Sequence, residues 1–181
     1  MRERAFFRER KAELLTRFPA VTGIFIAITG ILVLIGWSAR SEVVVRVLCG
    51  MMATNPVTAV VFVLLGLALW LRSTREPAED PLKRGLPYVL AAVVAAVGAI
   101  KLFQCCTGCA FHIDRLLFSS RLGGGGGLSP NAMAPNTALA FICSGVALLG
   151  MDFELRNGIR PAQVFALATG LIALLALMGH S

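Results

Sequence analysis

Hydrophobic residues along this chain are gathered into five long stretches with little or no charge, and the charged residues lie between them. The stretches cover residues 20–38, 56–71, 87–100, 135–151 and 161–178. At about 1.5 Å per residue, helices of this length, extended slightly at their ends, approach the roughly 30 Å thickness of a bilayer core. The pattern therefore predicts an all-α integral membrane protein with about five transmembrane helices.

Composition supports the same fold class. Hydrophobic residues make up 57% of the 181 residues and charged residues only 15%, which is too apolar for an ordinary soluble domain of this size. The net charge of +7 needs no nucleic-acid partner, because basic loops that face an anionic membrane surface account for it. The lipid bilayer is the predicted partner, and a homodimer or other membrane subunits are the protein partners left open.

One phrase of the sequence occurs twice, each time at the start of an apolar stretch. Met52–Ala59 and Met133–Ala138 align with a single two-residue gap after Asn136. Asn beside Pro is a helix-start signal, because the Asn side chain accepts a hydrogen bond from a first-turn N–H and Pro at the first position loses none. The positions singled out in this repeat are Asn55, Pro56, Phe62 and Gly66 in the first copy and Pro135, Asn136, Phe141 and Gly145 in the second.

The phrase divides the chain into helical hairpins. In each hairpin the first helix crosses the membrane outward, and the second helix, which begins with the phrase, crosses it inward. A third hairpin is predicted to open with the fifth helix, since Thr169-Gly170 echoes Thr29-Gly30. By this count the sequence ends in the middle of a unit. In order, the units are the cytoplasmic basic amphipathic segment 1–18, the first hairpin 19–73, the second hairpin 84–151, and the first helix of the incomplete third hairpin, 158–181.

The Lys and Arg residues between the stretches indicate the orientation. Twelve of the 17 lie in segments 1–18, 72–86 and 152–160, and five lie in segments 39–55 and 101–134. Short loops rich in Lys and Arg stay on the cytoplasmic side of a membrane. We therefore expect a cytoplasmic N-terminus and an extracytoplasmic C-terminus.

A cluster of reactive side chains follows the third stretch. If the third helix continues, Lys101, Cys105, Cys109 and His112 share one face, at steps of four, four and three residues. Cys105, Cys109 and His112, with Asp114 nearby, are ligands suited to zinc, copper or haem iron. The order of residues matches neither the haem-attachment motif nor the paired C-x-x-C set of a structural zinc site.

The same cluster offers a redox alternative. Cys106 and Cys109 form a C-x-x-C pair on the oxidising side of the membrane, with Cys49 in the other outer loop as a partner. Membrane enzymes that pass disulfides to quinones use two such pairs, whereas the first outer loop offers only Cys49. A disulfide that joins the outer loops is the simpler interpretation. Cys143, within the fourth stretch, is interpreted as a packing residue.

Two other features argue against further activities. No charged residue lies in the middle of any stretch, which disfavours a proton- or ion-coupled transporter. The five glycines from Gly123 to Gly127 are followed by Leu128, Ser129 and Pro130, so the Lys and Ser or Thr of a phosphate-binding loop are missing. We interpret the glycine run as a flexible linker.

Three short motifs resemble a known family. Residues 113–118 read Ile-Asp-Arg-Leu-Leu-Phe, and Met133–Phe141 and Gly145–Leu148 follow after a variable loop. They are similar to the N-terminal multi-pass membrane region of bacterial sensor histidine kinases and diguanylate cyclases, and the resemblance covers most of the chain from the first helix to the fifth. It implies a multi-pass module of the bacterial inner (plasma) membrane that receives signals or anchors sensory and output domains in the cytoplasm.

This sequence differs from that family because it shows no output domain. It contains no phosphoacceptor helix, ATP-binding region or cyclase domain, and the Cys-Cys-x-x-Cys-x-x-His run is not part of the pattern. The predicted function is a non-enzymatic signal-input or anchoring module of a two-component-type sensory protein, with no cofactor. The alternative is a thiol-redox or metal- or haem-binding membrane protein that uses Cys105, Cys106, Cys109 and His112.

Overall fold

Five α-helices make up the part of the chain that the structure describes. The computed structural model describes residues 2–38, 56–74, 81–107, 133–155, 158 and 160–179, and all regular structure in this part of the chain is α-helical. The all-α class predicted from the hydrophobic stretches is thereby confirmed. The helices are α1 (Arg2–Ser38), α2 (Pro56–Ser73), α3 (Pro81–Thr107), α4 (Pro135–Leu149) and α5 (Pro161–Met178).

Proline is the first residue of each described helix after α1. Pro suits this position because the first turn has N–H groups without intrahelical partners, so the missing donor costs nothing. In α4, Ala134 is the extended N-cap residue and makes no side-chain cap hydrogen bond. The Asn136 Oδ1 accepts a hydrogen bond from the Thr137 N–H at 2.9 Å. The predicted Asn acceptor is present, but it acts from inside the first turn rather than from the cap.

Helices α1 and α3 run longer than their apolar stretches. Residues 2–18 are continuous with the first apolar stretch in one helix of 37 residues that contains Pro19. Helix α3 begins at Pro81, contains Pro87, and ends seven residues beyond the predicted stretch at Thr107. These extensions contain polar and charged residues, so the pattern of apolar residues does not predict them.

Four of the five helices are long and apolar enough to cross a membrane. These spans are Arg17–Gly36, Pro56–Ser73, Arg84–Thr107 and Pro161–Met178. Helix α4 has 15 residues, which at about 1.5 Å each cover about 22 Å, less than the roughly 30 Å of a bilayer core. The described helices therefore have the character of a membrane protein, with α4 the shorter apolar element among them.

Each helix packs antiparallel against the next one in the sequence. Helix α2 lies against α1, α3 and α4, and helix α4 lies against α2, α3 and α5. Helices α1 and α5 each contact a single neighbour within the described part of the chain. Helices α2 and α4 are therefore the inner elements of the assembly.

Gly66 brings α2 directly against the backbone of α1. A Cβ atom added at Gly66 would lie 2.5 Å from both the Gly23 carbonyl oxygen and the Ala27 nitrogen, closer than real side-chain carbons approach. Two turns away, a Cβ at Gly30 would lie 2.6 Å from the Ala59 carbonyl oxygen. Small residues at such positions let helices approach closely in lipid, where packing rather than hydrophobicity drives association.

Gly145 brings α4 against α3 in the same way. A Cβ added at Gly145 would lie 2.8 Å from the Ala91 carbonyl oxygen and 2.9 Å from the Ala95 nitrogen. A Cβ at Gly98 would lie 2.8 Å from the Ala138 carbonyl oxygen. The second hairpin is thus held by backbone contacts of the same kind as the first.

The two hairpins match position for position at these contacts. In this alignment Pro56 is equivalent to Pro135, and the two-residue gap assumed from the sequence is not needed. By position in the sequence, Asn55, which lies outside the described residues, then corresponds to Ala134 rather than to Asn136. The structure therefore contains two copies of one packing arrangement. The matched pairs are Gly23 with Ala91, Ala27 with Ala95, Gly30 with Gly98, Ala59 with Ala138, and Gly66 with Gly145.

An apolar core joins the hairpins to each other. Val57 and Val61 of α2, Val94 of α3 and Phe141 of α4 form a buried cluster. The Phe62 and Phe141 rings meet edge to face with their centroids 5.3 Å apart and their planes at 75°. Such aromatic pairs add about 0.5–1.5 kcal/mol to the gain from burial. The two phenylalanines of the repeated phrase thus contact one another.

Helix α5 is held less tightly than the others. None of its residues is buried, and a Cβ at Gly170 would meet no atom within 4 Å. Its polar contact with α4 joins the Ser144 and Thr169 hydroxyl oxygens at 3.4 Å. Because the Thr169 hydroxyl donates to the Phe165 carbonyl oxygen at 3.0 Å, Ser144 is the donor to Thr169.

Candidate functional site

Arg72, Tyr88 and Asp152 come together from three different helices. Arg72 is in the last turn of α2, Tyr88 lies in the second turn of α3, and Asp152 follows the end of α4. Antiparallel packing brings these three helix ends to the same end of the molecule. We call this group the ionic cluster. It connects the two hairpins at the end that the distribution of Lys and Arg predicts to be cytoplasmic.

Asp152 is the centre of the ionic cluster. Its Oδ1 accepts a hydrogen bond from the Arg72 Nη2 at 2.6 Å, and its Oδ2 accepts one from the Tyr88 hydroxyl. The Arg72 guanidinium carbon lies 4.7 Å from the centroid of the Tyr88 ring, within range of a cation–π interaction. Each residue therefore contacts both of the others.

The environments of the two charges differ. The Arg72 side chain is 8% exposed, whereas the Asp152 side chain is 59% exposed. The Arg72 Nη1 is buried and has no hydrogen-bond partner among the described residues. An arginine head group carries five N–H donors, so Asp152 satisfies only part of its capacity.

A second ion pair lies at the same end of the molecule. Arg160 Nη2 and Glu154 Oε2 are 3.3 Å apart, and both side chains are more than half exposed. Exposed pairs of this kind contribute about 0–1 kcal/mol, because solvent screens them and two long side chains must be ordered. The pair is a useful comparison for the enclosed Arg72.

Lys101 is buried inside α3. The sequence places it at the outer end of the third helix, but the helix continues to Thr107 and Lys101 is only 6% exposed. It lies on the face of α3 that also carries Ala91, Val94 and Gly98, all buried against neighbouring helices. Lys101 thus lies within the candidate span Arg84–Thr107, six residues before its end rather than in its middle. A buried ionisable residue in such a span is costly and marks a candidate functional position.

The first hairpin has a neutral side chain at the position of Lys101. Lys101 follows Gly98 by three residues, and Val33 follows the equivalent Gly30 by three residues. Val33 is 3% exposed, so the two positions are similarly enclosed. The second hairpin thus differs from the first by one buried charge at this position.

The predicted cysteine and histidine site is described only in part. Cys105 and Cys106 are free, exposed residues in the last turn of α3. Cys109, His112, Asp114 and Cys49 lie outside the described residues, and so do the Gly123–Gly127 run and residues 113–118. In the described part, no three His, Cys, Asp or Glu side chains are close enough to hold a metal ion. Cys143 is free and buried in α4, in agreement with a packing role.

Reasoning from the sequence missed the ionic cluster. The Lys and Arg count places Arg72 in the loop segment 72–86, and its partners lie 16 and 80 residues further along the chain. Two signals could have indicated it. Tyr88 is the one tyrosine in the chain, and Asp152 is an acidic residue placed directly after an apolar helix. Neither signal specifies a partner without knowledge of which helix ends meet.

Comparisons of the chain with protein-family models, with curated proteins and with solved structures give no match. Function is therefore inferred from the placement of the residues described above.

Proposed function

We propose that this chain is a signal-input or anchoring module of a bacterial sensory protein, embedded in the inner membrane. The observation that carries the proposal is the pair of polar features on α3. Lys101 is buried toward one end of this helix and Tyr88 joins the ionic cluster at the other. At about 1.5 Å per residue the two positions are about 20 Å apart along one rigid helix. A disturbance at Lys101 thus has a direct mechanical path to the ionic cluster.

The packing of the hairpins supports the same function. Within each hairpin, glycine positions hold two helix backbones in close contact and leave little room for movement. Between the hairpins, the connection consists of side chains in the apolar core and in the ionic cluster. Side-chain interfaces of this kind allow helix shifts of about 1–2 Å, the size of movement that many switching proteins use. We propose that signal input shifts the position of one hairpin relative to the other.

A distance measurement tests signal input. Spin labels are attached at Thr74→Cys and Met151→Cys, two exposed positions next to the ionic cluster, after the native cysteines are replaced. Lys101→Met is then introduced, and Val33→Met serves as the matched control in the first hairpin. We expect Lys101→Met to shift the label distance by about 1–2 Å and Val33→Met to leave it unchanged. An unchanged distance in Lys101→Met would exclude signal input and leave only anchoring.

The genomic sequence tests the link to an output domain. A reading frame that continues past codon 181 into a kinase or cyclase domain would agree with the proposed module. A stop codon directly after Ser181 would contradict the version of the proposal in which the output domain is on the same polypeptide.

The second candidate is a thiol-redox or metal- or haem-binding function. It is favoured by the exposed free thiols of Cys105 and Cys106 at the end of α3. Metal analysis, haem absorbance and thiol titration of the purified protein test it, with Cys106→Ser as the variant. Stoichiometric metal or haem that depends on Cys105 or His112, or a redox activity lost in Cys106→Ser, would replace the first proposal.

A further inference from the structure

The guanidinium of Arg72 is enclosed but only partly satisfied. Its Nη2 is bound by Asp152 Oδ1, its face lies over the Tyr88 ring, and its Nη1 is buried without an acceptor among the described residues. A buried donor that lacks an acceptor is unfavourable, and a charged donor more so. The molecule in its membrane therefore needs an acceptor at Nη1.

The neighbouring protein acceptors are already in use. Asp152 Oδ2 accepts a hydrogen bond from the Tyr88 hydroxyl, so a bidentate interaction of Asp152 with Arg72 would break that hydrogen bond. The Trp70 carbonyl oxygen, in the same turn of α2, accepts the Ser73 and Thr74 hydroxyls and the Thr74 N–H. Neither of these two oxygens is therefore free to satisfy Nη1, which is consistent with an acceptor from outside the described chain.

The local charge favours an anion as that acceptor. The described ionic side chains at this end are Arg17, Arg72, Arg84 and Arg160 against Asp152 and Glu154. Arg84 lies one turn before Tyr88 on the same face of α3, so a second basic residue is near the cluster. Among these described side chains, the excess of positive charge disfavours a cation and favours a negatively charged oxygen ligand.

We propose that Arg72 binds one phosphate group, and that in the membrane this is the phosphate of an anionic phospholipid headgroup. Arginine presents its N–H donors in a planar fork that matches phosphate oxygens, and such charge-assisted hydrogen bonds are stronger than neutral ones. Arg72 lies in the last turn of a helix that is long and apolar enough to cross a membrane. If α2 spans the bilayer, its last turn reaches the region where headgroups meet the hydrocarbon core. Binding requires a rotation of the guanidinium that turns Nη1 toward the interface while Nη2 keeps Asp152. This inference is independent of the proposed signalling role.

The test measures lipid binding by the purified chain. Native mass spectrometry of the detergent-solubilised protein is used with phosphatidylglycerol, with a phosphate-free diacylglycerol of the same chains, and with inorganic phosphate alone. The variants are Arg72→Gln and Asp152→Asn, and the control is Arg160→Gln, which removes an equal charge from the exposed pair at the same end.

We expect Arg72→Gln to weaken phosphatidylglycerol binding roughly tenfold or more. Asp152→Asn should strengthen it, because it removes a negative charge that repels the bound phosphate, and Arg160→Gln should change it less than about twofold. The opposite signs for Arg72→Gln and Asp152→Asn separate a binding effect from misfolding, which would weaken binding in both.

Several results would overturn the proposal. Equal losses in Arg72→Gln and Arg160→Gln would show a diffuse attraction between the membrane and basic residues rather than a site. Diacylglycerol binding as tight as phosphatidylglycerol binding would exclude phosphate recognition. Millimolar inorganic phosphate that binds at Arg72 and displaces no lipid would overturn the assignment to a headgroup.

Discussion

Gly66 and Gly145 occupy equivalent positions on α2 and α4, and each lies against the backbone of the helix before it. The repeated phrase indicated from the sequence that these glycines matter, since both copies keep Gly at this place. The physical reason appears only in the structure, where a Cβ would collide with main-chain atoms rather than with a flexible side chain. The sequence could not show which helix approaches the glycine, because small residues line several faces.

Gly66→Ala is expected to destabilise the protein. The new Cβ would lie 2.5 Å from main-chain atoms of α1, so α1 and α2 must move apart. Overpacking of this kind costs about 1–3 kcal/mol, and the better helix propensity of Ala returns up to about 1 kcal/mol. Unfolding of the purified protein in mixtures of SDS and mild detergent measures the change.

Gly170→Ala is the matched control for that substitution. Gly170 is also inside an apolar helix, but a Cβ there meets no atom within 4 Å. It should leave the free energy of unfolding unchanged or raise it by up to about 1 kcal/mol. Equal destabilisation by the two substitutions would contradict the close-approach interpretation of Gly66.

At the scale of elements, the sequence predicted the helices better than their contacts. Apolar stretches and Pro-led starts are local signals, and they located the five helices of the described residues. The extra turns of α3 were missed because Pro81–Leu86 and Lys101–Thr107 contain polar residues that break the apolar run. The ionic cluster was missed because it depends on helix ends that are distant in the sequence, and hydropathy carries no information about such pairings.

The ionic cluster is expected to connect the hairpins cooperatively. Asp152→Asn leaves an enclosed guanidinium without its counter-charge and should cost about 1–2 kcal/mol, between the values for exposed and buried pairs. Tyr88→Phe removes one hydrogen bond and should cost about 1 kcal/mol. Because the Tyr88 hydroxyl donates to Asp152, the double variant should lose less than the sum of the two.

The same detergent unfolding assay measures this double-mutant cycle. Glu154→Gln, which breaks the exposed pair with Arg160, is the control and should cost less than about 1 kcal/mol. Strictly additive effects of Asp152→Asn and Tyr88→Phe would indicate that the two residues act independently, against the cluster described above.

At the scale of the whole molecule, an up-and-down arrangement follows from the antiparallel contacts along the chain. Gly23 lies opposite Trp70 near one end, and Gly30 lies opposite Ala59 toward the other. The distribution of Lys and Arg assigned those ends to the two sides of the membrane from the sequence alone. Packing cannot make that assignment, since it is the same whichever way the protein is inserted.

Thiol labelling in intact cells tests the orientation. In a background of Cys49→Ser and Cys109→Ser, a membrane-impermeant maleimide added from outside should label Cys105 and Cys106, which are exposed at the end of α3. Cys143 is buried and should label only after unfolding, which provides an internal control in the same protein. Labelling of Cys105 and Cys106 only in inverted vesicles would reverse the predicted orientation.

The pairing of Val33 with Lys101 has a consequence for how such a protein diverges. Both side chains fill equally enclosed places in two copies of one architecture, and one copy carries a charge where the other is neutral. A duplicated unit allows this, because the neutral copy preserves a stable scaffold while its twin tolerates a residue that burial penalises. Because the arrangement occurs twice, a buried charged residue destabilises only one of the two hairpins.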